Sequence, residues 1–289
     1  MTTKRENAIR LVKQWADAEN AQDWDRMYAV YAPEMATSLN GSGGFRGKRE
    51  VMRDWNGKAA VAYGESFREM QWIEANDERV AFQYTVEFDH LGEIFGVPAS
   101  GNRIQMHGAG IAAHNGESLL ELHVFGDVGD AVRQLSGKLR APGTVSAVPE
   151  GAPVPEGERA RYEAVGARLI RTVYEAENER DIEKQLACYA DPLLDHFAGH
   201  ASAMSSTRAR RVLPAWWESI PRLHRDIEEV LAFGDRAVLR WHMTADDIDG
   251  KPVDQHGCSV IEQDGERITK FWAYYPDLAQ VFPAVLGLE

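Results

Sequence analysis

Little in this sequence points to nucleotide, metal or membrane chemistry. Its 289 residues include only two cysteines, Cys188 and Cys258. Each lies in an apolar-periodic segment without CxxC or Cys/His ligand spacing, so two buried free thiols are expected, with a reducing cytoplasm as the default compartment. No apolar run approaches the roughly 20 residues that span a bilayer. The first twenty residues scatter charge where a secretory signal needs an apolar stretch. Positive charge is scarce too. Thirty-two Lys and Arg stand against 45 Asp and Glu, a net −13 that disfavours non-specific binding to nucleic acid or anionic membranes. The P-loop, a GxGxxG before a helix, HExxH and GxSxG are all missing, so neither a cofactor nor a metal ion is expected.

What the chain does have is a repeat. Ala18, Glu19, Asn20, Asp23, Tyr31 and Ala32 recur as Ala176, Glu177, Asn178, Asp181, Tyr189 and Ala190, each 158 residues on. Further along, Gly101, His107, Gly108, Gly116 and Glu117 recur as Gly250, His256, Gly257, Gly265 and Glu266, at a shift of 149. Between the copies, residues 136–158 are rich in Pro and Gly and follow no apolar period, as in an extended linker. The expected domains are 1–135 and 159–289.

Each copy opens on helical spacing: Ile9, Val12 and Trp15 in one, Val165, Leu169 and Val173 in the other. A second helix is expected from Trp24 through Tyr31, and from Ile182 through Tyr189. Asp23 and Asp181 stand where its first amides need an acceptor, and Asn20 and Asn178 serve the turn before it. Later each copy turns to period two, as in "RVAFQYTVEFDH" (79–90) and "RAVLRWHMTAD" (236–246). "HNGE" and "QDGE" read as hairpin turns. Helices followed by mostly antiparallel strands make an α+β domain, present twice.

On "ADAENAQDWDRMYAVYAPEM", "FRGKREV" and the run His90, Gly92, Gly96, Pro98, Gly101, Arg103, the first copy resembles a SnoaL-like domain. That family belongs to the cone-shaped α+β superfamily of nuclear transport factor 2 and ketosteroid isomerase. The resemblance covers nearly all of residues 7–135. It is weaker over 160–282, where the Gly-x-Pro run is missing. It implies two strongly bent sheets, each wrapped round about three N-terminal helices and enclosing an apolar pocket, and an internal pseudo-dimer open to further homo-oligomerisation. It also implies cofactor-independent isomerase, cyclase or hydratase/dehydratase chemistry on a small hydrophobic substrate. The two best-known catalytic arrangements are absent. Trp15 and Val173 stand where ketosteroid isomerase has its oxyanion tyrosine; Val124 and Ala273 stand where SnoaL-type cyclases have an aspartate, and Gly110 replaces its assisting histidine.

Three catalytic candidates remain. Asp195 and His196 match the family's Asp-His beside the pocket, as an acid/base pair or as a polar pair on a surface loop; the first copy has Thr37-Ser38 there. His90 shares parity with Val80 to Phe88, either at a pocket rim or as a satisfied structural histidine. Trp15, Tyr31, Tyr84, His107, Trp241 and His256 are the substrate-binding candidates. Packing is the competing reading for the aromatics, and a structural need for the repeated histidines. Glu121, His123 and His242 fall on polar strand faces, Asp127 on a turn or cap, and Gly-rich 39–47 on a mobile loop at the pocket rim. A non-catalytic binding protein with degenerate pockets is the alternative function.

Overall fold

The computed structural model describes residues 2–39, 42–48, 61–94, 97–135, 154–197, 200–220, 222–246 and 249–275. Contacts divide the chain into two units, Met1–Val148 and Pro149–Glu289. Residues 136–153 of the expected linker lie outside the described residues.

The first unit starts with α1 (Lys4–Asn20). Thr3 and Glu6 close a capping box, Glu6 N donating to Thr3 Oγ1 at 3.1 Å and Thr3 N to Glu6 Oε2 at 2.7 Å. The helix buries Leu11, Val12, Trp15 and Ala18. Gln22 then takes a left-handed φ of 52°, and Asp23 N returns to Ala18 O. Asp23 Oδ1 accepts from Arg26 N at 3.0 Å and caps α2 (Trp24–Ala29). The second helix stops there. Tyr31, expected on it, opens strand β1 (Tyr31–Leu39), because Pro33 biases the residue before it to extended backbone. The glycine-rich segment pairs with β1 as β2 (Ser42–Lys48), so a strand replaces the expected loop.

Strands β3 (Ser66–Ala75), β4 (Arg79–Asp89), β5 (Arg103–His114) and β6 (Leu119–Gly126) complete a sheet of order β2-β1-β6-β5-β4-β3, in which only β1 and β6 pair in parallel. A bulge between Met70 and Trp72 kinks β3. The β5–β6 turn rests on Asn115, whose Oδ1 accepts from Glu117 N and Ser118 N, and on Gly116 at φ +92°. Asp127 Oδ1 accepts from Asp130 N and caps α3 (Val128–Leu135). On β4 and β5 the even-numbered side chains face the core, with Phe82, Tyr84, Phe88, Ile104 and Met106 buried against Trp15 and Tyr31.

The second unit repeats the plan. Helix α4 (Arg159–Glu179) ends on Arg180 at φ +59°; Asp181 N returns to Ala176 O, and Asp181 Oδ1 caps α5 (Ile182–Leu186) through Lys184 N at 3.0 Å. Tyr189 again opens a strand, β7 (Tyr189–Phe197), paired with β8 (His200–Met204). The third helix, α6 (Ser206–Ser219), follows that hairpin instead of preceding the strands. Strands β9 (His224–Phe233), β10 (Arg236–Asp246), β11 (Pro252–Gln263) and β12 (Ile268–Tyr274) give the order β8-β7-β12-β11-β10-β9, the first sheet's order shifted by six. Both thiols are buried and unpaired. No described helix is long and apolar enough to cross a membrane.

Candidate functional site

A buried arginine sits at the centre of each unit, and the repeated Glu and Asn both serve it. In the first, Asn20 Nδ2 donates to Arg68 O at 2.8 Å and Arg68 N to Asn20 Oδ1 at 2.6 Å. The Arg68 side chain turns inward, Nε donating to Glu19 Oε2 at 2.6 Å and Nη2 to Glu19 Oε1 at 3.1 Å. In the second, Asn178 clamps the Arg225 backbone at 2.8 Å both ways, and Arg225 Nη1 lies 2.9 Å from Glu177 Oε2. Asn20 and Asn178 therefore tie the first helix to a strand, where a local turn role was expected. Burial is the largest influence and works against each guanidinium's charge, but the facing carboxylate and the neighbouring tyrosines together outweigh it and hold both above the ordinary arginine range.

Aromatic rings complete each centre. Arg68 lies 4.8 Å from the Trp15 ring centre and 4.1 Å from that of Tyr84, and Trp15 hydrogen-bonds Tyr31. Of the substrate-binding candidates, Trp15, Tyr31 and Tyr84 thus converge. Burial pushes the Tyr31 phenol well above its ordinary value. In the second unit Arg225 lies over Tyr174, Trp241 and Tyr275 and donates from Nη2 to Tyr275 Oη at 2.6 Å. Ser259 joins Tyr174 Oη to Trp241 Nε1. The candidate Trp241 belongs to this cluster.

Asp195 faces the same interior. Its strand neighbour Phe271 packs into the core, and its charge acts on Tyr189 and Tyr275, both core residues. Burial raises its pKa to about 7, against a weaker pull from Arg208. Among the described residues it has no hydrogen-bond or ion-pair partner. A cleft of about 290 Å³ opens at the start of β7, between it, α5 and α6, lined by Glu183, Tyr189, Asp191, Met204, Ser206 and Arg210, and Asp195 is not part of its lining.

His196 does not pair with it. Successive residues of a strand point to opposite faces, and His196 stacks on Trp272 at 4.9 Å and 18° on the other side of the sheet. Burial and Lys270 push it down to about 4. The expected acid/base pair is therefore a single inward carboxyl. His107 and His256 also leave the site, for the same alternation puts them on the outer face, opposite Thr85 and His242. What both copies need there is the next residue. A Cβ on Gly108 would stand 2.2 Å from Tyr84 Cζ, and one on Gly257 2.1 Å from Trp241 Cη2.

His90 is fully buried and anchors the His-x-Gly run. Ser100 N donates to His90 Nδ1 at 3.1 Å, so the neutral ring carries its hydrogen on Nε2, which has no partner among the described residues. Gly101 takes φ +70°, and Arg103 pairs with Glu87 and Asp89. On the outer face Ser38 hydrogen-bonds His123 at 2.7 Å, and Arg79 pairs with Glu121 at 4.0 Å. Arg68 and Arg225 escaped the reading of the sequence. Their signal was a repeat at 157 residues, with the flanking Glu69 and Asp226 also acidic.

The SnoaL-like domain model matches residues 12–118 and again 170–271. The chain belongs to that family. Both matched segments hold one arginine centre, so the family's fold occurs here as two tandem SnoaL-like domains. Solved structures similar to this chain each span about one copy. A SnoaL-like polyketide cyclase from Jannaschia, described as putative, is 16% identical over 50% of this chain and 98% of its own, with TM-score 0.42. A putative polyketide cyclase from Xanthomonas campestris is 23% identical over 42% and 91%, with TM-score 0.39. An epoxide hydrolase from M. tuberculosis, of the LEH-like type, is 17% identical over 47% and 93%, with TM-score 0.40. No curated protein matches the sequence.

Proposed function

We propose that the second domain is a cofactor-independent acid/base site for a small apolar or polycyclic carbonyl substrate, with Asp195 as the proton-transferring group. The reaction class is isomerisation, cyclisation or hydration/dehydration. The observation that carries this reading is Asp195 itself: an inward carboxyl across from the core residue Phe271, unpaired among the described residues, whose pKa of about 7 lets it take and return a proton near neutrality. Tyr275, polarised by the Arg225 hydrogen bond, is the donor suited to a developing enolate oxygen. The aromatic walls keep such an exchange away from bulk water.

The first domain supports a different role. Thr37 occupies the place of Asp195 and donates to Leu122 O at 2.7 Å, so no carboxyl stands there. Its rings around Arg68 suit binding of a flat ligand or a purely scaffolding part, and His90 is its remaining acid/base candidate. A thermal-shift panel of polycyclic ketones and phenols identifies ligands, and NMR in D2O then follows exchange of their α-protons. Asp195→Asn should abolish exchange while leaving binding. Exchange lost in His90→Ala but retained in Asp195→Asn would move the chemistry to the first domain. Binding without exchange in the wild type would favour a non-catalytic ligand-binding protein.

A further inference from the structure

The outer face of the second sheet carries a cluster that the interior chemistry does not use. His242 on β10 and His256 on β11 are cross-strand partners, and their rings stack at 4.5 Å and 18°. Asp254 lies two residues from His256 on the same face, its Oδ1 2.9 Å from His242 Nε2. One ligand atom from each of the three side chains falls within 4.8 Å of the others. A second set of carboxylates stands behind the imidazoles: Glu228 Oε1 is 3.0 Å from His256 Nδ1, and Asp226 Oδ2 is 3.9 Å from His242 Nδ1. Glu228 on the Nδ1 edge of His256 holds that ring so that its Nε2 is offered outward, the arrangement that supports histidine ligands in metal centres, and Asp226 adds negative charge near His242.

We infer that His242, His256 and Asp254 form a binding site for one divalent transition-metal ion on this face, outside the proposed catalytic interior. Two imidazoles and one carboxylate suit Zn²⁺ and its borderline neighbours, and not Mg²⁺ or Ca²⁺, which take oxygen ligands. Ligand atoms around tetrahedral zinc stand roughly 3.3 Å apart, so the site closes by side-chain rotation of about 1.5 Å. The ligands are open to solvent, with the His242, His256 and Asp254 side chains 27%, 43% and 71% exposed. The carboxylates of Asp226 and Asp254 make the spot attractive to a cation, while Glu228 is shared between His256 and Arg240, 3.2 Å away.

The first domain supplies an internal control. Its matching positions hold Thr85, Gln105 and His107, with Glu69 and Gln71 behind them, and Gln71 donates to Thr85 at 3.2 Å. With Thr85 for His242 and Gln105 for Asp254, one imidazole remains of the three ligands, which does not make the same site. Metal should therefore bind once per chain, although the fold occurs twice.

The test is titration of the tag-free, chelator-treated full chain with Zn²⁺ and with Co²⁺, by calorimetry and by the Co²⁺ visible spectrum. One equivalent should bind, raise the melting temperature and give the intense visible bands of a low-coordinate Co²⁺ ion. His242→Ala, His256→Ala and Asp254→Asn should each weaken binding ~10-fold or more. His107→Ala and His123→Ala should leave it unchanged, and circular dichroism checks that every variant is folded. Absence of a saturable single equivalent, or binding untouched in a folded His242→Ala/His256→Ala double variant, would overturn the assignment.

Discussion

Replacing Asp195 by asparagine should make the protein more stable and less active at once, with a stability gain that depends on pH. A carboxyl whose pKa stands near 7 in the fold, against 3.8 as the reference, is bound more weakly as an anion than as an acid. The stability that neutral Asp195 contributes is fully present below pH 3.8 and is lost as pH rises through 7. The full loss would be about 4 kcal/mol above neutrality, and partial exposure of the residue discounts it to roughly 1–3 kcal/mol. Asparagine keeps the shape and never ionises. Denaturant unfolding of both proteins between pH 4.5 and 8.5 should show a difference that grows in favour of the variant from the acid end up to about pH 7 and levels off above it. Asp130, raised to about 7 by burial and by Asp127, titrates in both proteins and cancels from the difference. Turnover should fall by ~10²-fold or more. A stability difference flat across this range, or one that favours the wild type increasingly with pH, would refute the buried-carboxyl reasoning whatever the activity does.

Four further outcomes follow from the packing and the backbone. Gly108→Ala and Gly257→Ala should each cost about 1–3 kcal/mol or more by denaturation, since the new methyl meets Tyr84 or Trp241 near 2 Å. Gly166→Ala, inside α4 with 3.4 Å to Ala237 Cβ, should instead gain up to about 1 kcal/mol. Glu177→Gln should lose about 3–5 kcal/mol by stranding the Arg225 charge, and Glu177→Leu with Arg225→Met should recover most of it. Arg180→Gly, at φ +59°, should raise the denaturation midpoint by relieving a left-handed non-glycine residue, a gain of roughly 1 kcal/mol.

The local devices were legible because their partners lie within a few residues. Asp23, Asp181 and Asp127 cap the helices that follow them, and Asn115 and Asp264 fold their hairpins through their own side-chain oxygens. Strand parity was legible too, and it placed Tyr84 and Trp241 inward. Applied to Asp195 and His196 it would have separated them; with no strand assigned to that stretch, pocket pair and surface-loop pair both stayed open and the alternation went unused. The first hairpin of each copy was missed because Tyr31 and Tyr189 continue a helical spacing across a helix end. The arginine centres were missed for a different reason. A charged residue on a strand reads as solvent-facing, and the carboxylate that makes Arg68 tolerable inside lies 49 residues away. The repeated histidines drew attention that belonged to the adjacent glycines, whose constraint comes from a ring on the neighbouring strand.

The two copies separate scaffold from chemistry by what each retains. Glu-Asn with a buried arginine is kept in both, along with the helix caps and the glycine beneath a large ring, and all of these hold the first helix to the sheet. The lining around that frame has been exchanged in compensating sets. Where Phe82 fills the first core, Gly110 makes room for it; at the matching places stand Leu239 and Ser259, whose hydroxyl accepts from Trp241 Nε1 and shares a hydrogen bond with the Tyr174 hydroxyl. Trp15 reaches Tyr31 in one copy, and Tyr174, one position further along its helix than Val173, does the equivalent filling in the other. Against that background of balanced swaps, Asp195 for Thr37 is an uncompensated one. Thr37 satisfies its hydroxyl on the neighbouring strand, whereas Asp195 brings a carboxyl into the interior with no cation to neutralise it among the described residues. A substitution that costs stability where its neighbours are balanced is what a position held for chemistry would show, and it is the reason the proposed reaction is placed at Asp195 in the second copy and not at Thr37 in the first.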